Sequence, residues 1–247
     1  MTDVIVPAIQ QAIHLILTGD PYVYSVVYRS LYTSGLGTFL SCAWSIPMAV
    51  GLGLYDFRGK WVVKGIFNAL IGIPTVGLGL LLYLLLAREG EFGSFHLLYT
   101  LNGIVIGQAI LVTPIIVTFT SNALSASDAQ LRDLAKTLGA SGLRTDLTII
   151  RETIWSMILA ITASFNRAFG ELGIASIVGG NLIGETQVLT TAIGLQIDFG
   201  HFAIAMAYAI ILIIIVVVIA VTISLIERLR QVDTWGKLSL GRGLGGS

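Results

Sequence analysis

Long apolar segments constrain what this chain can fold into more than any other feature of its sequence. Residues 202–226 carry no charged side chain, and a bilayer is crossed by about 20 apolar residues in a helix. Predominantly apolar stretches also cover residues 25–54, 62–87, 96–119 and 154–170. Because hydrocarbon offers the backbone no hydrogen-bond partner, each stretch is predicted to be a helix. The sequence therefore predicts an all-α, polytopic membrane protein with five spans.

The distribution of charge predicts how these spans are oriented. Hydrophobic residues make up 55% of the 247 residues and charged residues only 11%, against about 25% charged in soluble domains. Most of the 14 Lys and Arg residues lie in three connections, within residues 58–64, 132–151 and 228–242. The other connections carry acidic residues, namely Asp20, Glu89, Glu91, Glu185 and Asp198. Cationic connections stay in the cytoplasm, which predicts an outer N-terminus and a cytoplasmic C-terminus.

The two ends of the chain are predicted to lie outside the membrane domain. Residues 1–21 contain an apolar run that is too short to span and is interrupted by Gln10, Gln11 and His14, so an amphipathic helix at the periplasmic surface is expected. Asp20 is expected to cap the helix that begins near Pro21. The membrane domain covers residues 22–230. Residues 231–247 are polar and glycine-rich, which favours an irregular cytoplasmic tail.

Several local features of the spans are also predictable. Four tyrosines mark the outer end of the first span, namely Tyr22, Tyr24, Tyr28 and Tyr32, and Arg29 is expected to snorkel towards the interface there. Pro74 is expected to kink the second span. Residues 173–200 form a mixed outer segment with a short helix at residues 185–197. Cys42 is expected to be a packing residue.

A polar run at residues 122–152 separates the third and fourth spans. Ala, Leu and Lys favour helix up to Leu138, while Gly139 and Gly142 permit a turn into a second helix. A short helix, a tight turn and a second helix are therefore predicted on the cytoplasmic side. An ordinary solvated connection would also explain the charges, but it would not need a glycine turn between two helix-forming pieces.

The spacing in this run resembles the EAA loop of ABC-importer permeases, which docks on an ATPase subunit. The matching positions are Asp133, Leu134, Ala135, Gly139 and Ile149, with Asp in place of the usual Glu. Phrases elsewhere, including Gly19-Asp20-Pro21 and residues 166–171, are similar to tungstate and molybdate permeases, most of all the tungstate type. The resemblance implies a five-span type-I ABC importer permease core.

The resemblance also implies a role for the loop and a set of partners. The residues expected to couple the chain to the ATPase are Leu131, Asp133, Ala135, Lys136, Gly139 and Ala140. The implied partners are a second copy of this chain, two ATPase subunits that bind ATP and Mg, and a periplasmic or lipoprotein substrate-binding protein. The chain itself would hold no cofactor and would lie in the inner membrane in contact with lipid. No nucleic-acid partner is expected.

Motifs for chemistry within the chain are absent from the sequence. No phosphate-binding loop of the G-x-x-x-x-G-K-[ST] type occurs, so ATP hydrolysis is expected in a separate subunit. The three histidines are far apart and have no metal-ligand spacing. No catalytic or metal-binding residue is therefore assigned, and the chain is not expected to be an enzyme.

Asn166, Arg167 and Glu171 form a cluster of polar residues at the end of the fourth span. Arg167 and Glu171 are four residues apart and so share a helix face, which is consistent with a structural ion pair. Because ionisable groups inside membranes usually face a cavity, the cluster is equally consistent with a lining or gate of an anion pathway. For the whole chain, a permease for another small anion and a secondary transporter or channel remain alternatives. An intramembrane enzyme would need paired catalytic groups, which the spans do not offer.

Overall fold

The computed structural model describes residues 2–137 and 141–242, and their regular secondary structure is helical. This confirms the predicted all-α fold class. The α-helices in chain order are α1 (Thr2–Leu17), α2 (Pro21–Leu54), α3 (Lys60–Leu70), α4 (Thr75–Leu86), α5 (Leu101–Thr137), α6 (Gly142–Phe169), α7 (Gly173–Ile177), α8 (Leu189–Asp198) and α9 (Phe202–Arg242). All contacts discussed below lie within the compact unit Met1–Leu212.

Four helices of the described chain are long and apolar enough to cross a bilayer. They are α2, residues Leu101–Ser127 of α5, α6, and residues Phe202–Ile223 of α9. The bent pair α3 and α4 gives a fifth crossing if it forms one span. The surface position of α1, an apolar helix shorter than these four, stays a prediction.

The start of α2 follows from the sequence as expected. One carboxylate oxygen of Asp20 accepts hydrogen bonds from the backbone N–H groups of Tyr22 and Val23, both at 3.0 Å. Pro21 occupies the first turn, where its missing N–H costs nothing. The predicted cap is therefore confirmed, and it fixes where α2 begins.

The core is built where α2, α5 and α6 pack together. Small residues allow the close approach: a Cβ atom on Gly37 would lie 3.1 Å from the carbonyl oxygen of Val105 in α5. Nearer the C-terminal end of α2, Leu54 packs with Leu124 and Ile149 in a buried cluster. Close packing of this kind, which small residues such as Gly37 permit, holds helices together in lipid, where the hydrophobic effect does not.

The second predicted span is broken rather than kinked. Two helices, α3 and α4, meet at 99° across residues 71–74. Pro74 lies at the N-cap of α4 with extended backbone angles, and the residue before a proline is itself driven away from helical geometry. Together with Gly72, this ends α3 one turn before α4 can begin. The expectation of a single kinked helix was therefore wrong.

The connection at residues 122–152 also differs from its prediction. The expected short helix is the C-terminal part of α5, which runs without interruption to Thr137, and the second helix is the start of α6. Residues 122–137 contain neither Gly nor Pro, so nothing in the sequence ends α5 earlier. At its other end α5 begins at Leu101, five residues later than expected, because His96 and Tyr99 have positive φ angles.

Two further boundaries need correction. The outer helix expected at residues 185–197 is α8, which begins at Leu189, because Thr186 instead closes a loop by donating to the carbonyl oxygen of Gly179 at 2.6 Å. The tail expected to be irregular continues as helix α9 to Arg242. Within residues 202–240 the one glycine or proline is Gly236, and a single Gly costs a helix only about 1 kcal/mol.

Close packing of α2 on α5 can be tested with a matched pair of glycines. A Cβ atom on Gly53 would lie 2.6 Å from the Cβ atom of Leu124, whereas one on Gly51 would have no neighbour within 4 Å. We expect Gly53→Ala to destabilise the protein by about 1–3 kcal/mol through overpacking. Gly51→Ala should be neutral or stabilising by about 0.5–1 kcal/mol. Thermal unfolding in detergent measures both, and equal melting temperatures would contradict the packing described.

Candidate functional site

The Arg167–Glu171 pair forms as the i, i+4 spacing suggests. A guanidinium nitrogen of Arg167 donates to a carboxylate oxygen of Glu171 at 2.9 Å. The Glu171 side chain is only 1% exposed, whereas that of Arg167 is 36% exposed. The carboxylate is therefore enclosed by protein, while the cation keeps one side open.

Glu171 also connects three helices. Its second carboxylate oxygen accepts from the backbone N–H of Ile174 in α7 at 3.0 Å, and its own carbonyl oxygen accepts from the hydroxyl of Thr190 in α8 at 2.6 Å. A buried carboxylate requires such partners, because an unpaired one would cost several kcal/mol. The pair thus fixes the end of α6 against the outer segment.

Amide side chains near this pair have unpaired oxygens. Asn166 has its Oδ1 atom buried without a hydrogen-bond partner among the described residues. Gln108 in α5 donates to the carbonyl oxygen of Ala168 at 3.1 Å, but its Oε1 atom is likewise buried and unpaired. The end of α6 is therefore a polar layer in which buried amide oxygens can still accept hydrogen bonds.

Arg29 is a site residue whose environment the sequence analysis missed. It is 9% exposed and turns inward, with Nε donating to the carbonyl oxygen of Gln187 and a terminal nitrogen to that of Gly184, both at 3.0 Å. The expectation that Arg29 snorkels to the interface was wrong. The loop between α7 and α8 has carbonyl groups without helical partners, and Arg29 supplies them with donors.

Two tyrosines complete this second polar layer. The hydroxyl of Tyr22 donates to Oε1 of Gln187 at 2.7 Å, and the Tyr22 ring lies 6.5 Å from that of Tyr208. The Tyr208 hydroxyl is buried and has no partner in the part of the chain that the structure describes. Tyr24, Tyr28 and Tyr32 are exposed, as an aromatic belt requires, whereas Tyr22 turns towards the loop. No sequence signal distinguishes Tyr22 from the other three.

The residues predicted to couple to an ATPase lie at the end of α5 and in the connection from α5 to α6. Leu131, Asp133, Ala135 and Lys136 belong to the last turns of α5, and Gly139 and Ala140 lie outside the described residues. Ile149, which matches the downstream position of the motif, is fully buried against Leu54 and Leu124. In this way the start of α6 is packed onto the α2–α5 core, while Leu143 remains exposed.

The described residues contain no group of three or more His, Cys, Asp or Glu side chains that could hold a metal ion. Cys42 packs at the edge of a cluster formed by Val112, Ile116 and Ala168.

The fold is that of an ABC importer permease. It matches a chain from the structure titled "Inward facing conformations of the MetNI methionine ABC transporter" with a TM-score of 0.64 and 16% identity, covering 84% of this chain and 95% of that one. Residues 45–231 match the family described as "Binding-protein-dependent transport system inner membrane component". The chain belongs to this family of inner-membrane permeases.

Several relatives are named for tungstate uptake or molybdenum transport. This chain is 34% identical to the tungstate uptake system permease protein TupB of Peptoclostridium acidaminophilum over 79% of this chain and 86% of the relative. It is also 34% identical to the TupB of Campylobacter jejuni, over 83% and 86% respectively. The molybdenum transport system permease protein ModB of Escherichia coli is 29% identical over 72% of this chain and 81% of its own. The predicted resemblance to tungstate and molybdate permeases is confirmed.

The role of Arg29 can be tested by its removal. Arg29→Met would leave the carbonyl groups of Gly184 and Gln187 without donors, at a cost of about 1–3 kcal/mol for each buried group. We therefore expect a loss of about 2 kcal/mol or more in the free energy of unfolding, and faster proteolysis of the loop that precedes α8. Arg88→Met, at an exposed position, is the matched control. The assignment fails if the two variants unfold and are cleaved alike.

Proposed function

We propose that this chain is the permease subunit of an ATP-driven importer of tungstate, in which it forms the translocation pathway. The observation that carries this proposal is the 34% identity to two tungstate uptake permeases over most of both chains. Molybdate is the second candidate cargo, favoured by the 29% identity to a molybdenum transport permease. Both ions are tetrahedral oxyanions, so one pathway chemistry serves either.

We further propose an assembly of two copies of this chain, two ATPase subunits and an external substrate-binding protein. The family description itself refers to a binding protein, and the sequence has no phosphate-binding loop, so ATP and Mg would be bound by the partner ATPase. The concentration of Lys and Arg in three connections supports a cytoplasmic C-terminus and an outer N-terminus. In this arrangement α1 lies on the periplasmic surface and residues 22–230 form the permease domain.

Coupling would occur at the turn between α5 and α6. The partner ATPase would supply ATP binding and hydrolysis, and the last turns of α5 would take up the resulting movement. Since Ile149 is buried against Leu54 and Leu124, displacement of the turn would be passed to α2 and to the core rather than absorbed locally. Two such turns drawn together would open the permease pair outward, and hydrolysis would reset it.

The polar layer at the end of α6 is proposed as part of the outer gate. Arg167 is partly exposed and tied to Glu171, which in turn holds α7 and α8. A movement of α6 against α8 would therefore have to rearrange this layer. Asn166, with its unpaired oxygen, would let water follow the ion there.

Transport by reconstituted protein tests the proposed function. Proteoliposomes containing the permease, its ATPase and the binding protein are expected to accumulate tungstate when ATP is supplied, and sulfate only weakly. Omission of the ATPase should abolish uptake. Persistent uptake without the ATPase would instead support a secondary transporter or channel.

In the same assay, Arg167→Gln should slow uptake while leaving assembly intact. Normal uptake by that variant would leave the Arg167–Glu171 pair a purely structural role.

The coupling assignment has its own test at Gly139. A leucine there is expected to displace the partner ATPase, and to strain the backbone by about 1 kcal/mol or more if the turn requires a left-handed residue. We expect Gly139→Leu to insert and dimerise normally, yet to lose both the ATPase on co-purification and oxyanion uptake. Asp133→Lys should act in the same direction but more weakly. Wild-type recovery of ATPase with Gly139→Leu would refute the assignment.

A further inference from the structure

A polar cavity of about 280 Å³ lies between α2, α3 and α5. This volume is far above the about 10–15 Å³ that one water molecule needs. Its walls include Lys64, Phe67 and Asn68 from α3 and Thr118, Ser121 and Asn122 from α5. The cavity is present because α3 turns away from α4 by 99° and lies across α5.

Lys64 gives this cavity a positive charge that is not paired with a carboxylate in residues 2–137 and 141–242, although Asp56, the partner of Lys60, acts on it electrostatically. Its ammonium group donates one hydrogen bond, to the hydroxyl of Ser125 at 2.9 Å, and an ammonium has three donors. Lys60, one turn earlier, is instead paired with Asp56 at 2.9 Å. Among the described residues no acidic side chain lines the cavity, so Lys64 retains donors for a ligand.

Thr118 adds an unused donor to the same wall. Threonine hydroxyls in helices usually donate to the carbonyl four residues earlier, as those of Thr113 and Thr162 do here. The hydroxyl of Thr118 is buried and has no hydrogen-bond partner in residues 2–137 and 141–242, and the whole residue is only 7% exposed. Thr118 is among the residues that line the cavity, and a rotation of its side chain would turn the buried hydroxyl towards a molecule bound there.

The rim of the cavity indicates that it opens to water. Asn68 and Asn122 line it and are exposed. Amide groups facing hydrocarbon would lack hydrogen-bond partners at a cost of several kcal/mol each. A water-filled opening satisfies them, and polar groups inside membranes mark such pathways.

Two other cations in the described part of the membrane domain, Arg29 and Arg167, are already engaged. Arg29 is bound by two backbone carbonyl groups and Arg167 by a carboxylate. Lys64 differs because its one hydrogen-bond partner among the described residues is the neutral hydroxyl of Ser125, which leaves its charge available.

We propose that this cavity is a binding site for a tetrahedral oxyanion at the cytoplasmic end of the pathway, with Lys64 and the Thr118 hydroxyl as its principal donors. This inference rests on the proposed function, which supplies the oxyanion and the cytoplasmic orientation. A single ammonium and neutral donors hold a dianion loosely, because charge-assisted hydrogen bonds are few and water has access. Loose binding suits a site from which cargo is released.

Direct binding measurements test the site. The permease–ATPase complex, without binding protein, is prepared in phospholipid nanodiscs and in lipid-free detergent, and tungstate binding is measured by equilibrium dialysis with elemental analysis. We expect saturable binding in both preparations. Loss of a hydrogen bond to a charged group should make Lys64→Gln bind about tenfold or more weakly, and Thr118→Val should weaken binding several-fold. Lys60→Gln is the matched control, with a change within about twofold.

Each outcome separates the site from the function. Tungstate uptake by the full transporter together with no saturable binding, or with wild-type binding by well-folded Lys64→Gln and Thr118→Val, would overturn the inference and leave the function standing. Binding in detergent that vanishes in nanodiscs would assign the cavity to lipid headgroup phosphate and also overturn it. Saturable binding that falls in Lys64→Gln would support the site even if uptake of tungstate failed.

Discussion

Hydrocarbon offers polar groups no hydrogen-bond partners, and the membrane domain depends on how its few charged side chains are satisfied without them. Glu171 is enclosed and paired with Arg167, and its remaining oxygens hold α7 and α8. Arg29 is enclosed by carbonyl groups of the loop before α8. Both residues bind the same outer segment, Glu171 from just beyond the end of α6 and Arg29 from α2. Its short helices are therefore held by buried charge as well as by apolar packing, since Ile174 and Val178 are buried against Leu78 and Leu82 of α4.

Small side chains permit the rest of the arrangement. Gly37 and Gly53 let α2 approach α5 closely, and the Leu54 cluster continues this contact to the start of α6. The broken second span then leaves α3 without buried residues. Because α3 does not pack into the core, its polar side chains line the cavity between α2, α3 and α5.

The sequence predicted the features that depend on local chemistry. Apolar length gave the spans, the Asp20-Pro21 pair gave the start of α2, and the four-residue spacing gave the Arg167–Glu171 contact. The sequence did not reveal which way a helix face turns, so Arg29 and Tyr22 were assigned to the interface although their partners lie 158 and 165 residues away. Helix ends were also missed where no Gly or Pro marks them, as at residues 122–137. Gly139 and Ala140 lie outside the described residues, and their coupling role stays a prediction.

The choice of cation at each polar layer fits the direction of transport that we propose. Arginine binds oxyanions through a planar fork of two parallel hydrogen bonds, whereas lysine is a compact, strongly hydrated point charge. An unpaired arginine in the pathway would compete with release of a dianion, and here Arg29 and Arg167 are occupied by protein groups. Lys64 is available but cannot form the fork, so water can replace the ion at low cost. An importer needs this order, because cargo delivered from outside must leave its last site for the cytoplasm in every cycle.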